Sequence, residues 1–272
     1  MAVLRHTLFS LRWQVLSYGV GVGLYAALIV SLFPMLEDTF ADLEMPEGYL
    51  AFFGSEQLDF GDPRAFLTTE LMSLVPLIVA IYAVVASTAL LAGDEQRGAL
   101  DLVLAQPLSR RRLFLGRTGG LVAGALLIAT AGAIGLLIPA LIIDLDVPAF
   151  VLVRAMFSLV PLMLACAGLG LLVAAVTPSR GVAGGLVAAE TVTVWLLNSV
   201  SNLNDTLEPL HFVSPFYYAD GPTVLFDGPV LWHAAVLIGA FVLLTALALR
   251  AFEARELSAG RWQLRALTTR NA

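Results

Sequence analysis

Leu121-Val122-Ala123-Gly124-Ala125-Leu126-Leu127-Ile128-Ala129-Thr130-Ala131-Gly132-Ala133-Ile134-Gly135 carries no charged side chain, and the uncharged run extends on both sides from Thr118 to Ile143. A helix needs about 20 such residues to cross a bilayer, because hydrocarbon offers no partner for an exposed backbone group. Transmembrane β-strands would show alternation over about 10 residues instead. This stretch does not alternate, so it reads as a spanning helix.

Five further stretches have the same character if one internal carboxylate is allowed, giving spans at Trp13–Leu36, Leu71–Ala92, Thr118–Ile143, Ala155–Ser179, Gly181–Val200 and Gly228–Leu249. The expected fold is an all-α integral membrane protein of six transmembrane helices, a single transmembrane domain over residues 1–272 with no room for a large soluble domain. Composition agrees: 59% of residues are hydrophobic and 13% charged, with mean hydropathy +0.87, against about 25% charged in an ordinary soluble domain. The first span is too long for a signal-peptide core, and Phe33-Pro34-Met35-Leu36-Glu37 does not resemble a cleavage site. Ahead of it, the stretch with Val3, Leu4, Leu8 and Leu11 apolar reads as a short amphipathic helix along the interface.

All 15 basic residues are arginine. With six spans both termini share one side, and that side carries thirteen of the fifteen arginines, leaving only Arg64 and Arg154 opposite. The positive-inside bias places both termini in the cytoplasm of a cell-membrane protein. Fifteen of the 21 carboxylates fall on the other side. The net charge of −6 is therefore a property of the outer face. An acidic surface without lysine suits a high-salt exterior; a GC-rich genome also favours arginine over lysine.

The loop between the second and third spans has a defined pattern. Leu100, Val103 and Leu104 recur at the spacing of one apolar helix face. Arg97 and Asp101 stand four apart and can pair on the other face. Pro107 ends this segment, and Ser109 is placed to cap a helix that starts with Arg110. The reading is a short amphipathic helix at the cytoplasmic surface, followed by a basic helix start.

Glu95, Gly98, Leu100, Asp101, Leu102, Leu104, Ala105, Pro107, Leu108, Ser109 and Arg110 resemble the signature of ABC-2 type permeases, the membrane subunits of ABC transporters. Ala99 and Val103 depart from the commoner Thr and Leu. Phe252-Glu253-Ala254-Arg255-Glu256-Leu257 resembles the Phe-x-x-Arg-Asp-Leu ending of the same family, with Glu256 in place of Asp. Among subgroups, Leu102-Val103-Leu104-Ala105-Gln106-Pro107 with its preceding Asp101 is most similar to permeases linked to copper-site maturation of nitrous oxide reductase.

The resemblance implies an exporter built from two permease subunits, a second copy or paralogue completing the pair, and two separate ATPase subunits. ATP and Mg would sit on the ATPase, with no cofactor on this chain. It also implies that the loop is a coupling helix docking in a groove of the ATPase, with Glu95, Arg97, Gly98, Leu100, Asp101, Val103, Leu104, Pro107, Ser109 and Arg110 as its candidate coupling residues. The residues agree on one point independently: a Gly-x-x-x-x-Gly-Lys-Ser/Thr phosphate loop requires lysine, and the chain has none.

Glu190 is the one ionisable residue deep in a span. A charge there costs at least about 2.5–3.5 kcal/mol, so it faces a path, a cavity or a partner, or is kept neutral as a helix-tying group. Gly116, Gly120 and Gly124 form a doubled small-xxx-small pattern, repeated at Gly19/Gly23 and Gly181/Gly185. Such glycines mark close helix packing, inside one subunit or along a dimer seam. His6, His211, His233 and Cys166 show no metal-ligand spacing, and no nucleic-acid-binding feature is present. A secondary transporter using Glu190 as proton carrier, a membrane enzyme and an assembly scaffold are the competing classes. The hydrolase motifs His-Glu-x-x-His and Gly-x-Ser-x-Gly are absent.

Overall fold

A computed structural model describes residues 2–41, 61–96, 109–177, 179–202, 212–219, 221 and 223–254. Its elements are α1 (Ala2–Ala41), α2 (Pro63–Glu70), α3 (Val75–Gln96), α4 (Arg110–Ile142), α5 (Ala149–Phe157), α6 (Leu159–Val176), α7 (Arg180–Ser201), a 3-10 turn (Tyr217–Ala219) and α8 (Leu231–Ala254). Six helical segments are long and apolar enough to cross a membrane, α2–α3 and α5–α6 each forming one of them. The chain is a multi-pass, all-α membrane protein.

The helices are longer than the uncharged runs within them. α1 is one continuous helix of 40 residues, about 60 Å at 1.5 Å per residue, and it absorbs the separate interfacial helix expected before Trp13. The reason is packing: Leu11 is buried and Thr7 lies against α4, so the segment has a helix to follow into the bundle. Its outward stripe of Phe9, Trp13, Leu16, Val20, Leu24 and Leu28 stays exposed, as a lipid-facing surface does.

The span expected over 155–179 is α5 plus α6, broken at Ser158. Pro161 has no N–H to donate to the Phe157 carbonyl, and the Ser158 hydroxyl turns back to the Ala155 carbonyl at 2.8 Å. α4 starts where the sequence predicts, with Ser109 Oγ accepting from the Arg112 amide at 3.3 Å. At the opposite, acidic end, Asp62 caps α2 by accepting from the Arg64 amide at 2.8 Å, with Pro63 at the first helical position.

α6 is the centre of the bundle. It packs on α3, α8, α7, α4 and α5, and most of its residues are buried. α1 and α4 form the most extensive pair, running in the same direction, since Thr7 meets Gly120 and Gly23 meets Gly135. Glycine makes this approach possible. A Cβ at Gly135 would run into the Gly23 backbone, one at Gly120 into the Thr7 side chain, and one at Gly124 into the Tyr82 hydroxyl. Gly19 and Gly23 face Ala131 in the same seam, whereas Gly185 has no atom of another element within 4 Å. Gly116 is half-buried one turn before Gly120.

The acidic-end loop is drawn into the bundle rather than left free. Phe216, Ala219, Val224 and Leu225 are buried, and Arg154 on α5 donates from Nη2 to the Phe226 carbonyl at 3.0 Å. Gly228 has φ +90°, and a Cβ there would come within 2.9 Å of the Arg154 guanidinium, so the loop needs glycine on both counts.

Gly135→Ala should destabilise the protein by about 1–3 kcal/mol, the usual penalty for overpacking, because its obstacle is backbone. Gly239→Ala, with nothing within 4 Å, should be neutral. Thermal unfolding of both variants in detergent measures the contrast.

Candidate functional site

Two places concentrate polar chemistry. The first is the arginine-rich end. Glu95 lies in the last turn of α3. Arg97, Gly98, Leu100, Asp101, Val103, Leu104 and Pro107, and with them the expected coupling helix, lie outside the described residues. The segment just after them is anchored. Arg110 Nη1 reaches the Glu253 carbonyl at 3.4 Å, and the rings of Phe114 and Phe252 lie 5.9 Å apart, both buried. Arg110, the last residue of the first stretch, and Phe252 and Glu253, the first of the second, therefore lie at one corner of the bundle.

Arg117 strengthens the same corner. It is 5% exposed, and its Nη1 donates to the Leu90 carbonyl at 2.6 Å, a charge-assisted bond of about 1.5–3 kcal/mol. Leu90 lies within the last two turns of α3, and its carbonyl has a second lone pair with which to accept this bond. Sequence reading counted Arg117 only as one more loop arginine. Its spacing from Phe114 and Leu121 puts all three on one helix face, which was the available signal.

The second place surrounds Glu190, near the middle of α7. α7 leans on α3 and α6, α8 leans on α6, and among the described residues α7 and α8 make almost no contact with each other. A cleft remains between them, a cavity of about 280 Å³. Cys166 and Leu169 of α6 form its floor, Glu190 and Thr191 one wall, Leu237 and Ala240 the other. Phe212, Phe216 and Tyr218 of the acidic-end loop roof it. The Thr191 hydroxyl donates to Glu190 Oε2 at 3.5 Å. Glu190 itself is exposed, on the edge of an α7 face that also exposes Val182, Leu186, Leu197 and Val200. Sequence reading singled out Glu190 but missed the aromatic roof, because the loop joins it only through the fold.

The family model described as "Multidrug efflux system permease Rv1217c, C-terminal domain" matches residues 8–253. The chain belongs to that family. No curated protein matches it.

The match begins in α1 and ends in α8, so the permease is covered through all six spans, the arginine-rich corner and the Glu190 cleft. It agrees with the ABC-2 resemblance of the loop motif. The permease also shows how its roof is held: His233, at the start of α8, has ring contacts with Tyr217, Tyr218 and Trp232, the last at 4.0 Å. A tyrosine–tryptophan–histidine cluster of this kind is at home where a membrane meets water.

Arg117→Met should free the end of α3. The expected result is a loss of about 1.5–3 kcal/mol in thermal unfolding and faster protease cutting between Gln96 and Ser109. Arg111→Met, on an exposed neighbour, should change neither.

Proposed function

We propose that this chain is the membrane-spanning permease subunit of an ATP-binding cassette exporter, moving drug-like substrates across the cell membrane. ATP and Mg are bound by a separate ATPase subunit. The observation that carries this reading is the efflux-permease family match over residues 8–253, joined to the absence of lysine. Without lysine the chain cannot form the phosphate-binding loop of an ATPase, so the energy must enter through a partner.

The arginine-rich end is the cytoplasmic side in this proposal, and both termini lie there. The loop from Glu95 to Arg110 is the coupling element. Its two flanks support this: α3 and α4 are tied by Arg117, and α4 is tied to α8 through Arg110 and the Phe114–Phe252 contact. A push on the loop is then shared by three spanning helices. Helix-in-groove docking uses anchors at i, i+3 and i+4, the spacing of Leu100, Val103 and Leu104.

A second copy of the chain is the other proposed partner. α7 is the least covered of the six spans. It leaves Val182, Leu186, Leu197 and Val200 exposed along its length, an apolar face on which a second copy can pack.

The test is co-expression with an ATPase that carries a phosphate loop. Co-purification and substrate-stimulated ATP hydrolysis are expected. Replacing both Arg97 and Asp101 by alanine should leave insertion and basal hydrolysis intact while lowering transport about tenfold, the effect of about 1.4 kcal/mol of lost coupling. Undiminished transport by the double variant would remove the polar face of the loop from the mechanism.

A further inference from the structure

The cleft beside Glu190 has a composition that selects a ligand. Among its described lining residues Glu190 is the one carboxylate, and none is basic. The remaining walls are apolar or aromatic, and three aromatic side chains, Phe212, Phe216 and Tyr218, form the roof. A neutral apolar guest would fill the space but leave the carboxylate with the Thr191 hydroxyl and no counter-charge. An anion would be repelled. An organic cation satisfies both halves: its charge pairs with the carboxylate, and aromatic faces attract it through their quadrupoles. Low dielectric strengthens that pairing over its value in water.

The way in follows from exposure. Val236, in the spanning helix α8, is exposed beside the cleft, and Phe212 and Val213 are exposed at its roof. An exposed edge on a spanning helix lies on the surface that lipid surrounds, which favours guests that partition into lipid while carrying a charge. The cavity of about 280 Å³ suits a small aromatic or quaternary ammonium head.

We propose that the cleft between α7 and α8 is a binding site for lipophilic organic cations, with Glu190 as the counter-charge and Phe212, Phe216 and Tyr218 as the aromatic wall. This assigns a substrate class to the permease and rests on the reading of the chain as a transport subunit. Ala240 sets the width of the site from the α8 side. Phe216, which also lines a small polar pocket with Asn198 and Ser73, separates the cation site from the acidic end.

The test uses the full chain in nanodiscs of phosphatidylethanolamine and phosphatidylglycerol, with no ATPase and no nucleotide. The probes are phenyltrimethylammonium and tert-butylbenzene, which share a shape and differ in charge, read by ligand-observed NMR against empty nanodiscs. The native chain should bind the cation more tightly. Glu190→Gln should weaken the cation by roughly tenfold or more, the loss of one close ion pair, and leave the neutral probe unchanged, which also shows that the variant is folded. Ala240→Phe should lower binding of both. Equal binding of the two probes by the native chain, or cation binding unaltered in Glu190→Gln, overturns the proposal. If Glu190→Gln fails to fold, Glu190→Asp with Ala240→Phe decides it: cation preference kept in the first and binding of both probes lowered in the second supports the site, and cation binding undiminished in the second overturns it. Because no ATPase takes part, a negative result here leaves ATP coupling untouched, and failure of ATP coupling leaves this binding result standing.

Discussion

Hydrocarbon offers no hydrogen-bond partner, and the rest of this molecule follows from that constraint. Backbone polarity must be satisfied inside each segment, so the spans are helices. Apolar surface gives no driving force between helices in lipid, so close packing has to supply it. The α1–α4 seam is the result: Gly23, Gly120 and Gly135 bring the two helices together where a larger residue would be crowded or collide, and Gly19 faces Ala131 in the same seam. Exceptions to the constraint stand out for the same reason. Pro161 costs the chain a hydrogen bond and appears as the break between α5 and α6. Arg117 is buried where its guanidinium donates to a backbone carbonyl of α3. Glu190 is the exception that packing inside this chain leaves exposed.

These exceptions divide the functional work. The arginine-rich corner is tied together: a guanidinium bond, a tilted pair of phenylalanine rings and a capped helix start join three spans beside the loop motif. The Glu190 cleft is the opposite, a place where two helices share a neighbour and, among the described residues, make almost no contact with each other. A tied corner at one end and a loosely closed cavity nearer the other form an arrangement through which movement of a docked domain can alter a binding site. α6 links them, because it floors the cleft and packs against α3 and α4.

The six spans were legible because uncharged runs of this length have one physical solution. The cap at Ser109 was legible for a local reason, as its hydroxyl stands where a helix start needs an acceptor. The exact helix limits were not. α1 continues past the apolar run because its first turns find α4, and α5 begins before Ala155 because Arg154 on it finds the Phe226 carbonyl. Both are tertiary contacts that no local pattern encodes. The same holds for the site. Glu190 is conspicuous in the sequence as a lone charge, whereas Phe212, Phe216 and Tyr218 look like ordinary loop aromatics until the fold sets them over it. Arg117 was read as topology when its position also makes it a tie.

The central claim is that this chain moves substrate only when a separate ATPase drives it, and transport by reconstituted protein under two energy sources tests it most directly. Proteoliposomes holding the chain alone, under an imposed proton or sodium gradient, are compared with proteoliposomes that also hold the ATPase and receive ATP. The account predicts accumulation of a lipophilic cation in the second case and none in the first. Gradient-driven accumulation by the chain alone, abolished by Glu190→Gln, would contradict it and make the protein an ion-coupled carrier.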